Sequence, residues 1–586
     1  MVIASRMTLW CCVSLLVSCS RSDSMPAELP FAPKVSGSPD GVVVAAQPLA
    51  AEAGARMLRA GGNAADAAVA AAFAISVVEP SMNSIGGRTQ VLVRSPNGVF
   101  SGIDATTQAP LTYDPETAPQ ASYGYPTIGL PGAVAGLSRL LDEHGTMTLD
   151  QVMVPAIQLA RRGFRLLPGE AARHAAGRDQ AAEFEGSRSY FLTPAGEARA
   201  AGALVVQEDL ARTLEQISQG GPDVFYRGEL AQVMARDLAA GGSPVTAESL
   251  AEYRAEEARV VRGSYRGYEL VGTDIPASGA VTIGILHILE NFEMAALDEE
   301  SWAALLAAAV AKGFEYRSML GTAEDAARFL DKAFAAQVAK EIVVPGAVLS
   351  RAAMEDQHRP GLHLASTRVG RPRVPELFVA GLPTSVDWTG STWGLGSTHT
   401  THLSAADGDG MLVSLTQTIG PLMGSKVASP GLGFLYAATL GGYLGHVEPG
   451  ERVRSSISPL MVLEDGEPRL VLGAAGGARI ISAVVQAVCR FVDQGLSLPA
   501  ALAAARVHPI EGGIAMETSP DIGWSDDVVH AVEDWGIDVS EVEPAGAFGR
   551  IHAIYLDPET GIKLGVADPD WEGAAVTPSP DPTLDP

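Results

Sequence analysis

The chain has 586 residues, of which 47% are hydrophobic and 19% are charged, so it is long and apolar enough to bury a sizeable core. This balance excludes an intrinsically disordered chain, and four cysteines in such a length exclude a small disulfide scaffold. Asp and Glu outnumber Lys and Arg by 68 to 41, giving a formal net charge of -27 that disfavours nucleic-acid binding.

The N-terminal segment has the features of an export signal. Arg6 precedes an apolar run, residues 8–17, that is shorter than the roughly 20 residues of a bilayer-spanning helix. The run ends in Leu-Val-Ser-Cys19, which resembles a bacterial lipobox, where the cysteine is lipidated. We expect a lipoprotein signal peptide at residues 1–18 and a tether at 19–39. The protein would then be periplasmic or held at the outer membrane by its lipid alone; a plain secretory signal with an incidental cysteine is the alternative.

Cys489 is the one cysteine outside the N-terminal segment. It lies near Val485, Val488 and Phe491, so we expect a buried small hydrophobic side chain rather than a nucleophile. If Cys19 is lipidated, no internal disulfide can form after export.

Helical patterns dominate residues 137 to about 338, and two helices and a hairpin are expected before them. The Ala-rich stretch 48–80 is interrupted by Gly61-Gly62-Asn63, which predicts two helices, the second apolar on every side and buried between layers. Residues 89–103, broken at Pro96-Asn97-Gly98, predict a hairpin. Further helices are expected at residues 207–218 and 301–314.

The second half predicts antiparallel strands after an irregular loop at residues 361–396, rich in Gly, Ser, Thr and Pro. Strands are expected at residues 401–406, 411–418, 460–463, 469–472, near 539 and at 551–556. Helices are expected at residues 478–494 and 499–507, and the tail 578–586 should be disordered.

Thr400 stands where this loop meets a predicted strand. A threonine hydroxyl is a weak nucleophile until a base takes its proton. The α-amino group of the same residue, with a reference pKa of about 7.7 to 8.0, can act as that base. Such an amine exists only if the chain is cut between His399 and Thr400.

The motifs around Thr400 resemble the γ-glutamyltransferase family of N-terminal-nucleophile hydrolases, and the resemblance extends from about Gly41 to Gly573. It is carried by Thr400 with His402 two positions later, Gly61 to Ala67, Pro131 to Gly136, Leu159 to Phe164, Tyr265 to Tyr268, Leu286 to Phe292, and Ala474 to Ile480. The family implies an α+β fold, a four-layer αββα sandwich. It also implies self-cleavage into a mainly α large subunit (40–399) and a β-rich small subunit (400–577), which stay together as a heterodimer.

The resemblance also assigns roles to single residues. Thr400 would break the His399 to Thr400 bond and then act as the nucleophile, with Thr418 hydrogen-bonded to it. Gly476 and Gly477 would form an oxyanion hole from their backbone N–H groups. Without the resemblance, Thr400 could be part of a Thr-rich strand entrance, Thr418 an ordinary strand residue, and the glycines a tight turn.

The substrate would be held by Ser455 and Ser456, together with the positions Thr106 and Thr439. Alone, the serine pair would be a turn or cap signal. We interpret His402 as a packed strand residue rather than a base, because the free amine already fills that role.

The charged anchors for a glutamyl group are missing. Thr106 stands where the family has a carboxylate-binding arginine, Gly420 where it has an asparagine, and Gly442 where a carboxylate binds the α-amino group. Arg88 could supply a replacement cation, although a surface arginine is the favoured interpretation. We therefore predict a shifted acyl group, neutral or bulkier than glutamyl.

These observations predict an exported, self-processing amidohydrolase or acyltransferase that cleaves γ-glutamyl or related amide bonds of a small molecule through an acyl-threonine intermediate. An acylase for a non-glutamyl acyl group and a non-catalytic surface lipoprotein are the alternatives. No cofactor is implied. A metal site is not expected, because His399 and His402 would point to opposite faces of a strand. A serine-hydrolase Gly-x-Ser-x-Gly elbow is absent from the sequence.

Overall fold

The computed structural model describes residues 25–26, 33–317, 319–350, 399–442, 445–519, 522–543 and 547–578. The predicted signal peptide, the lipidation site Cys19, the loop predicted at 361–396 and residues 579–586 of the predicted tail lie outside these residues. Within them, no helix combines the length and apolarity needed to cross a bilayer.

One of two stacked sheets has seven antiparallel strands and contains the strands on either side of Thr400. In spatial order they are β20 (Ala574–Val576), β2 (Gly41–Ala45), β10 (Thr401–Asp407), β11 (Leu412–Thr418), β3 (Arg88–Arg94), β4 (Phe100–Ala105) and β7 (Glu256–Glu257). The predicted hairpin at residues 89–103 is confirmed as β3 and β4. Nearly all residues of β2, β10 and β11 are buried because both faces of this sheet are covered.

The second sheet has eight strands and packs face to face with the first. Its strands are β1 (Val35–Ser38), β19 (Lys563–Ala567), β18 (Arg550–Leu556), β13 (Glu467–Leu472), β12 (Leu460–Glu464), β9 (Tyr268–Thr273) and β8 (Val260–Tyr265), with β14 (Ala474–Ala475) paired to β18. Apolar side chains of both sheets, such as Val44, Leu412, Met461 and Ile554, form the core between them. Two small sheets complete the strands: β15 (Val507–Ile510), β16 (Gly513–Glu517) and β17 (Asp538–Val542), and β5 (Phe164–Arg165) with β6 (Leu204–Val205).

Helices cover the outer face of each sheet. The described helices are α1 (Pro48–Arg59), α2 (Ala64–Val78), α3 (Ala133–His144), α4 (Leu149–Arg162), α5 (Pro168–Ala176), α6 (Arg178–Ala181), α7 (Glu185–Phe191), α8 (Glu208–Tyr226), α9 (Glu229–Ala240), α10 (Ala247–Glu252), α11 (Gly279–Leu289), α12 (Glu299–Arg317), α13 (Ala323–Phe329), α14 (Lys332–Ala339), α15 (Arg479–Val492), α16 (Leu498–Ala503) and α17 (Asp526–Asp534). Helices α1 to α4 and α8 to α10 share a core with the seven-stranded sheet, and α11 to α17 pack on the eight-stranded sheet. The predicted four-layer αββα sandwich is therefore confirmed.

Helix α2 shows how the sequence produces this layering. Asn63 caps it by accepting hydrogen bonds from the N–H groups of Ala65 and Asp66, and Gly61 makes the preceding turn at φ 86°. Every side chain of α2 is buried, as its apolar composition predicts.

Both sheets combine strands from before and after Thr400. Strand β10 pairs with β2 on one side, and β11 pairs with β3 on the other. A cut before Thr400 would therefore leave the backbone hydrogen bonds between these strands in place.

Two boundary predictions are wrong. Residues 35–38 of the predicted tether form β1, an edge strand whose Ser- and Gly-rich sequence carries no strand signal but pairs with β19. The helix predicted at 499–507 ends at Ala503, because Val507 and His508 begin β15 and pair with Met516 and Ala515.

Candidate active site

Thr400 and Thr418 meet at one end of the seven-stranded sheet. The Thr400 hydroxyl donates a hydrogen bond to Thr418 Oγ1 at 3.1 Å, and the Gly420 N–H donates to the same oxygen at 3.0 Å. Strand pairing explains the contact, since Thr401 lies opposite Gln417 in the β10 to β11 register. The structure thus brings together the two threonines that the sequence singled out, both nearly inaccessible to solvent.

The backbone at Thr400 is strained. Its φ is 120°, a region that a β-branched residue rarely adopts and that costs about 1 to 3 kcal/mol. The strain lies immediately after the His399 to Thr400 peptide bond, which is the bond that the sequence predicts to be cut.

His399 is a buried, neutral imidazole on the other side of that bond. Burial, with the positive charges of Lys426, Arg550 and Arg173, lowers the pKa of His399 well below its usual value. Burial also lowers the pKa of Lys426 to about 8. The sequence analysis did not single out Lys426. The available signal was a lone lysine between the glycine turn at residue 424 and an apolar stretch.

A buried cluster of charges lies beside these residues and was also missed. Although burial opposes it, the Arg173 guanidinium with hydrogen bonds from His174 and Ser81 lowers the pKa of Glu170 to about 2. Arg173 also reaches Glu79 at the end of α2, at 3.4 Å. Glu170, Arg173 and His174 lie at i, i+3 and i+4 spacing in α5, and this helical spacing was the available signal. Ser81 and Glu79, which follow α2, could not be connected to them by any local motif. These buried, paired charges lie near the start of β10.

Gly476 and Gly477 form the turn between β14 and α15. Their φ angles are 147° and 59°, and a Cβ on Gly476 would lie 2.8 Å from the Cα of Gly549. Neither N–H donates a hydrogen bond to an acceptor in the described part of the chain. Two unused amides before a helix N-terminus can receive a developing negative oxygen.

The glycine turn is positioned by packing against β10. A Cβ on Gly473, just before β14, would lie 2.3 Å from the His402 ring. His402 itself is fully buried, with Nδ1 2.8 Å from Thr416 Oγ1 and Nε2 3.2 Å from Ser404 Oγ. Burial lowers its pKa well below the usual value. The interpretation of His402 as a packed strand residue is confirmed.

Thr106 is part of an internal network. Its hydroxyl accepts a hydrogen bond from Gln90 at 2.8 Å, and its N–H donates to Asp104 at 2.8 Å. Asp104 also forms an ion pair with Arg452 at 3.3 Å. Thr106 therefore follows the end of β4 directly and is held by protein partners.

Thr439 and Gly442 lie in an irregular segment beside the end of β4. The Thr439 N–H donates to the Thr127 carbonyl at 2.6 Å, while its hydroxyl is buried without a hydrogen-bond partner in the described residues. A Cβ on Gly442 would lie 2.6 Å from Gln120 Oε1. The space beside Gly442 is thus filled by a neutral amide, and an acidic side chain there would displace it.

The side chains of Ser455 and Ser456 make different hydrogen bonds. Ser455 Oγ accepts from the Ile457 N–H at 3.2 Å, which is a turn contact. Ser456 Oγ accepts a hydrogen bond from the Arg317 guanidinium at 3.2 Å. Sequence reasoning missed Arg317, since a basic residue at a helix end is usual and carried no further signal.

The interpretation of Arg88 as a surface arginine is wrong. Arg88 is 4% exposed and lies opposite Thr418 in the β11 to β3 register. It is buried because β3 is an inner strand of a sheet covered on both faces. The preceding Gly86-Gly87 suggested a loop, which hid the start of the strand.

Cys489 is fully buried in α15, and burial raises the pKa of its thiol well above the usual value. Its Sγ lies 3.5 Å from the Tyr265 hydroxyl. The prediction of a packed, unreactive cysteine is confirmed.

Replacing Thr418 with valine is expected to slow any reaction of the Thr400 hydroxyl by about 5- to 30-fold, because it removes one buried hydrogen bond at constant shape. The measurement is the rate of appearance of a two-chain product by denaturing electrophoresis. Thr416→Val is the matched control, since it breaks the His402 contact on the same strand without touching Thr400. Equal cleavage rates in the two variants would contradict the assigned role of Thr418.

Comparison with known proteins agrees with this geometry. The family model described as Gamma-glutamyltranspeptidase matches residues 50–577. The glutathione hydrolase proenzyme of Escherichia coli is 32% identical over 566 residues, covering 90% of each chain. The acylase ACY 1 proenzyme of Pseudomonas sp. (strain SE83) is 33% identical over 508 residues, covering 81% of this chain and 83% of the acylase.

Among solved structures, the cephalosporin acylase from Bacillus halodurans superposes with a TM-score of 0.78 at 26% identity, covering 95% of this chain and 99% of that one. The match of fold, family model and sequence extends over nearly the whole chain. The chain therefore belongs to the gamma-glutamyltranspeptidase family and is an amidohydrolase or acyltransferase of that family.

Proposed function

We propose that this protein is an exported enzyme that cleaves itself before Thr400 and then hydrolyses or transfers the acyl group of a small amide through an acyl-Thr400 intermediate. The observation that carries the proposal is the Thr400 hydroxyl, which is hydrogen-bonded to Thr418 at 3.1 Å on a residue whose backbone φ is strained.

Self-cleavage begins from the uncut chain. Thr400 Oγ attacks the carbonyl carbon of His399, and the peptide C–N bond breaks as the Thr400 nitrogen takes the hydroxyl proton. This step turns the amide into an ester and frees the α-amino group. Water then hydrolyses the ester, leaving a carboxylate at His399 and a free Thr400 hydroxyl. The left-handed φ of Thr400 supports the proposal, because breaking the bond releases the strain.

Turnover uses the amine that self-cleavage creates. The α-amino group takes the proton from Thr400 Oγ, which attacks the substrate carbonyl, and the developing oxyanion accepts hydrogen bonds from the Gly476 and Gly477 amides. The leaving amine takes the proton as the C–N bond breaks. Water or another amine then attacks the acyl ester and regenerates the hydroxyl.

We propose an acyl group other than γ-glutamyl. One relative is named a glutathione hydrolase and another is named an acylase. Membership of the family therefore leaves open whether the acyl group is γ-glutamyl or another group. The residues of this chain favour a shifted acyl group: Thr106 is held by Gln90, and Gln120 occupies the space beside Gly442.

Intact mass and N-terminal sequencing of the purified mature protein test the proposal. We expect two chains, the smaller beginning Thr400-Thr401-His402. A single uncut chain in active, correctly exported protein would refute the processed-nucleophile mechanism.

The two products are expected to elute together in gel filtration and to separate only in denaturant, because β2 and β3 pair with β10 and β11 across the cut. Elution as two separate species would contradict this arrangement of the sheets. The control is the uncut Thr400→Ala chain, which should elute at the same volume.

Export and lipid anchoring through Cys19 remain part of the proposal. Incorporation of labelled palmitate into the wild-type protein, and its loss in Cys19→Ala, would support them. A secreted protein without label, in both forms, would favour a plain signal peptide.

A further inference from the structure

Lys426 is a buried cation with no charged partner in the described part of the chain. It is 4% exposed, and burial alone lowers its pKa. Lys312, a buried lysine in α12, differs from it, because its ammonium forms ion pairs with Glu315 and Glu341 at 3.0 Å. A buried lysine without a counter-charge gives up its proton more easily, which is how lysine serves as a general base in enzymes.

The backbone holds Lys426 in a strained conformation. Its φ is 65°, in the left-handed region that a residue with a Cβ rarely adopts. Two hydrogen bonds fix it there: the Lys426 N–H donates to the Met423 carbonyl at 2.9 Å, and the Ser187 hydroxyl donates to the Lys426 carbonyl at 2.6 Å. Strained residues of this kind cluster at functional sites, where the surrounding structure holds them in place.

The turn that carries Lys426 returns to the end of β11, the strand that it follows in the chain. At its two ends, the carbonyls of Ile419 and Val427 accept hydrogen bonds at 3.0 Å from the N–H groups of Ala438 and Tyr436. Residues two positions apart lie at most about 7 Å from each other, so the two ends of the turn are close together. Lys426 is therefore held near the strand end that contacts the nucleophile.

The Lys426 ammonium also acts on the residue before the nucleophile. Three cations lower the pKa of His399, and Lys426 has the largest effect, ahead of Arg550 and Arg173. Burial lowers the pKa of Lys426 to about 8 and that of Arg550 to about 10, whereas the carboxylates of Glu170 and its neighbours raise the pKa of Arg173. Of these three cations, Lys426 is the one that loses its proton near neutral pH.

Self-cleavage needs a base that the uncut chain lacks. The α-amino group of Thr400 exists only after the His399 to Thr400 bond has broken, so another group must take the hydroxyl proton in the first step. We propose that the neutral amine of Lys426 takes the proton from Thr400 Oγ, directly or through one bridging water, as Oγ attacks the His399 carbonyl carbon.

The same side chain completes the step. The Lys426 ammonium gives the proton to the Thr400 nitrogen as the C–N bond breaks, so the ester and the free α-amine form while Lys426 returns to its neutral state. No other reactant is consumed. This inference rests on the proposed function and names the group that moves the proton in its first step. Turnover of the cut protein does not need Lys426 as a base, because the Thr400 amine is then present.

The rate of self-cleavage is expected to follow the deprotonation of Lys426. It should rise about tenfold per pH unit below pH 8 and level off above it, because the neutral amine is the active form and burial lowers its pKa to about 8. Full chains from cell-free synthesis are transferred to buffers between about pH 6 and pH 10, and the two-chain product is followed by denaturing electrophoresis. A rate that does not change with pH would contradict the assignment.

Substitutions at Lys426 separate the amine from the charge. We expect Lys426→Met to slow self-cleavage by about 10²- to 10⁴-fold. Lys426→Arg keeps the cation but offers no neutral base, so it should be as slow. Lys312→Met is the matched control, since it removes a buried lysine that has its own carboxylate partners, and it should be cut as the parent is. Equal cleavage rates in the parent and both Lys426 variants would overturn the inference.

Added amines distinguish a base from a packing residue. In Lys426→Ala we expect methylamine or ethylamine to restore cleavage by at least about tenfold, in proportion to the concentration of neutral amine. The rescued protein carries the free Thr400 amine, so its kcat per cut chain should stay within about threefold of the wild type.

Two outcomes would overturn Lys426 as the base and leave the acyl-threonine mechanism standing. One is a Lys426→Ala chain that stays uncut at every amine concentration while the wild type is cut. The other is a loss of kcat per cut chain as large as the loss of cleavage rate, which would assign Lys426 to packing of the site. A wild-type chain that is never cut before Thr400 would overturn the proposed function and this inference together.

Discussion

Replacing Thr400 with alanine is expected to leave a single uncut chain and to lower amide hydrolysis by about 10⁴-fold or more, because one side chain serves both reactions. The Thr400 hydroxyl lies beside the His399 to Thr400 bond, on a residue with strained φ, and donates a hydrogen bond to Thr418 at 3.1 Å. Alanine removes the oxygen and the methyl group of a residue that precedes β10, so the pairing of β10 with β11 is left in place. The measurement is intact mass together with the initial rate of p-nitroaniline release.

Thr400→Ser is the matched comparison. It keeps the hydroxyl and the potential amine, so we expect a cut protein with reduced but measurable turnover. Thr401→Ser, one residue further into β10, should be cut as the parent is. Efficient cutting of the Thr400→Ala chain at the same bond would show that another group performs the cleavage.

Replacing Gly476 with alanine is expected to lower kcat by about 10²- to 10³-fold, the loss typical of a disabled oxyanion donor, about 3 to 4 kcal/mol. A Cβ there would meet the Gly549 Cα at 2.8 Å, and the φ of 147° disfavours any side chain. The turn must shift, and the amides of Gly476 and Gly477 shift with it. Steady-state kinetics should show the loss in kcat, with KM changing less.

Gly466→Ala provides a control at another glycine with positive φ. Gly466 has φ 82° in the turn between β12 and β13, and no atom lies within 4 Å of its added Cβ. We expect a small loss of stability, about 1 kcal/mol, and unchanged kcat. Equal kcat values in Gly476→Ala and the parent would contradict the oxyanion assignment.

The strands and helices around Thr400 could be predicted from the sequence because their signals are local, whereas the αββα fold and the proposed role of Thr400 came from the family resemblance. Thr400 and Thr418 flank a pair of strands joined by an Asp-Gly turn, so strand pairing alone brings them together. The Gly61-Gly62-Asn63 break marks the end of one helix and the cap of the next. A glycine pair before a helix is equally visible in the sequence, although only the packing against Gly549 shows why residue 476 must be glycine.

The contacts around Ser456 and Asp104 could not be predicted, because they connect distant parts of the chain. Arg317 reaches Ser456 across 139 positions, and Asp104 binds Arg452 across 348. Arg88 looked like a loop residue after two glycines, yet it is an inner strand residue opposite Thr418. Burial of a charge depends on which layers cover it, and no short sequence window contains that information.

Mass spectrometry of the acyl-enzyme tests the central claim most directly. The wild-type protein is mixed with a p-nitroanilide that it hydrolyses, quenched in acid within the first turnover, and its peptides are mapped. We predict the mass of one acyl group on the peptide that begins at Thr400, absent from the Thr400→Ala protein. Turnover with no acyl mass on that peptide, or with the acyl group on another residue such as Ser455, would contradict the account.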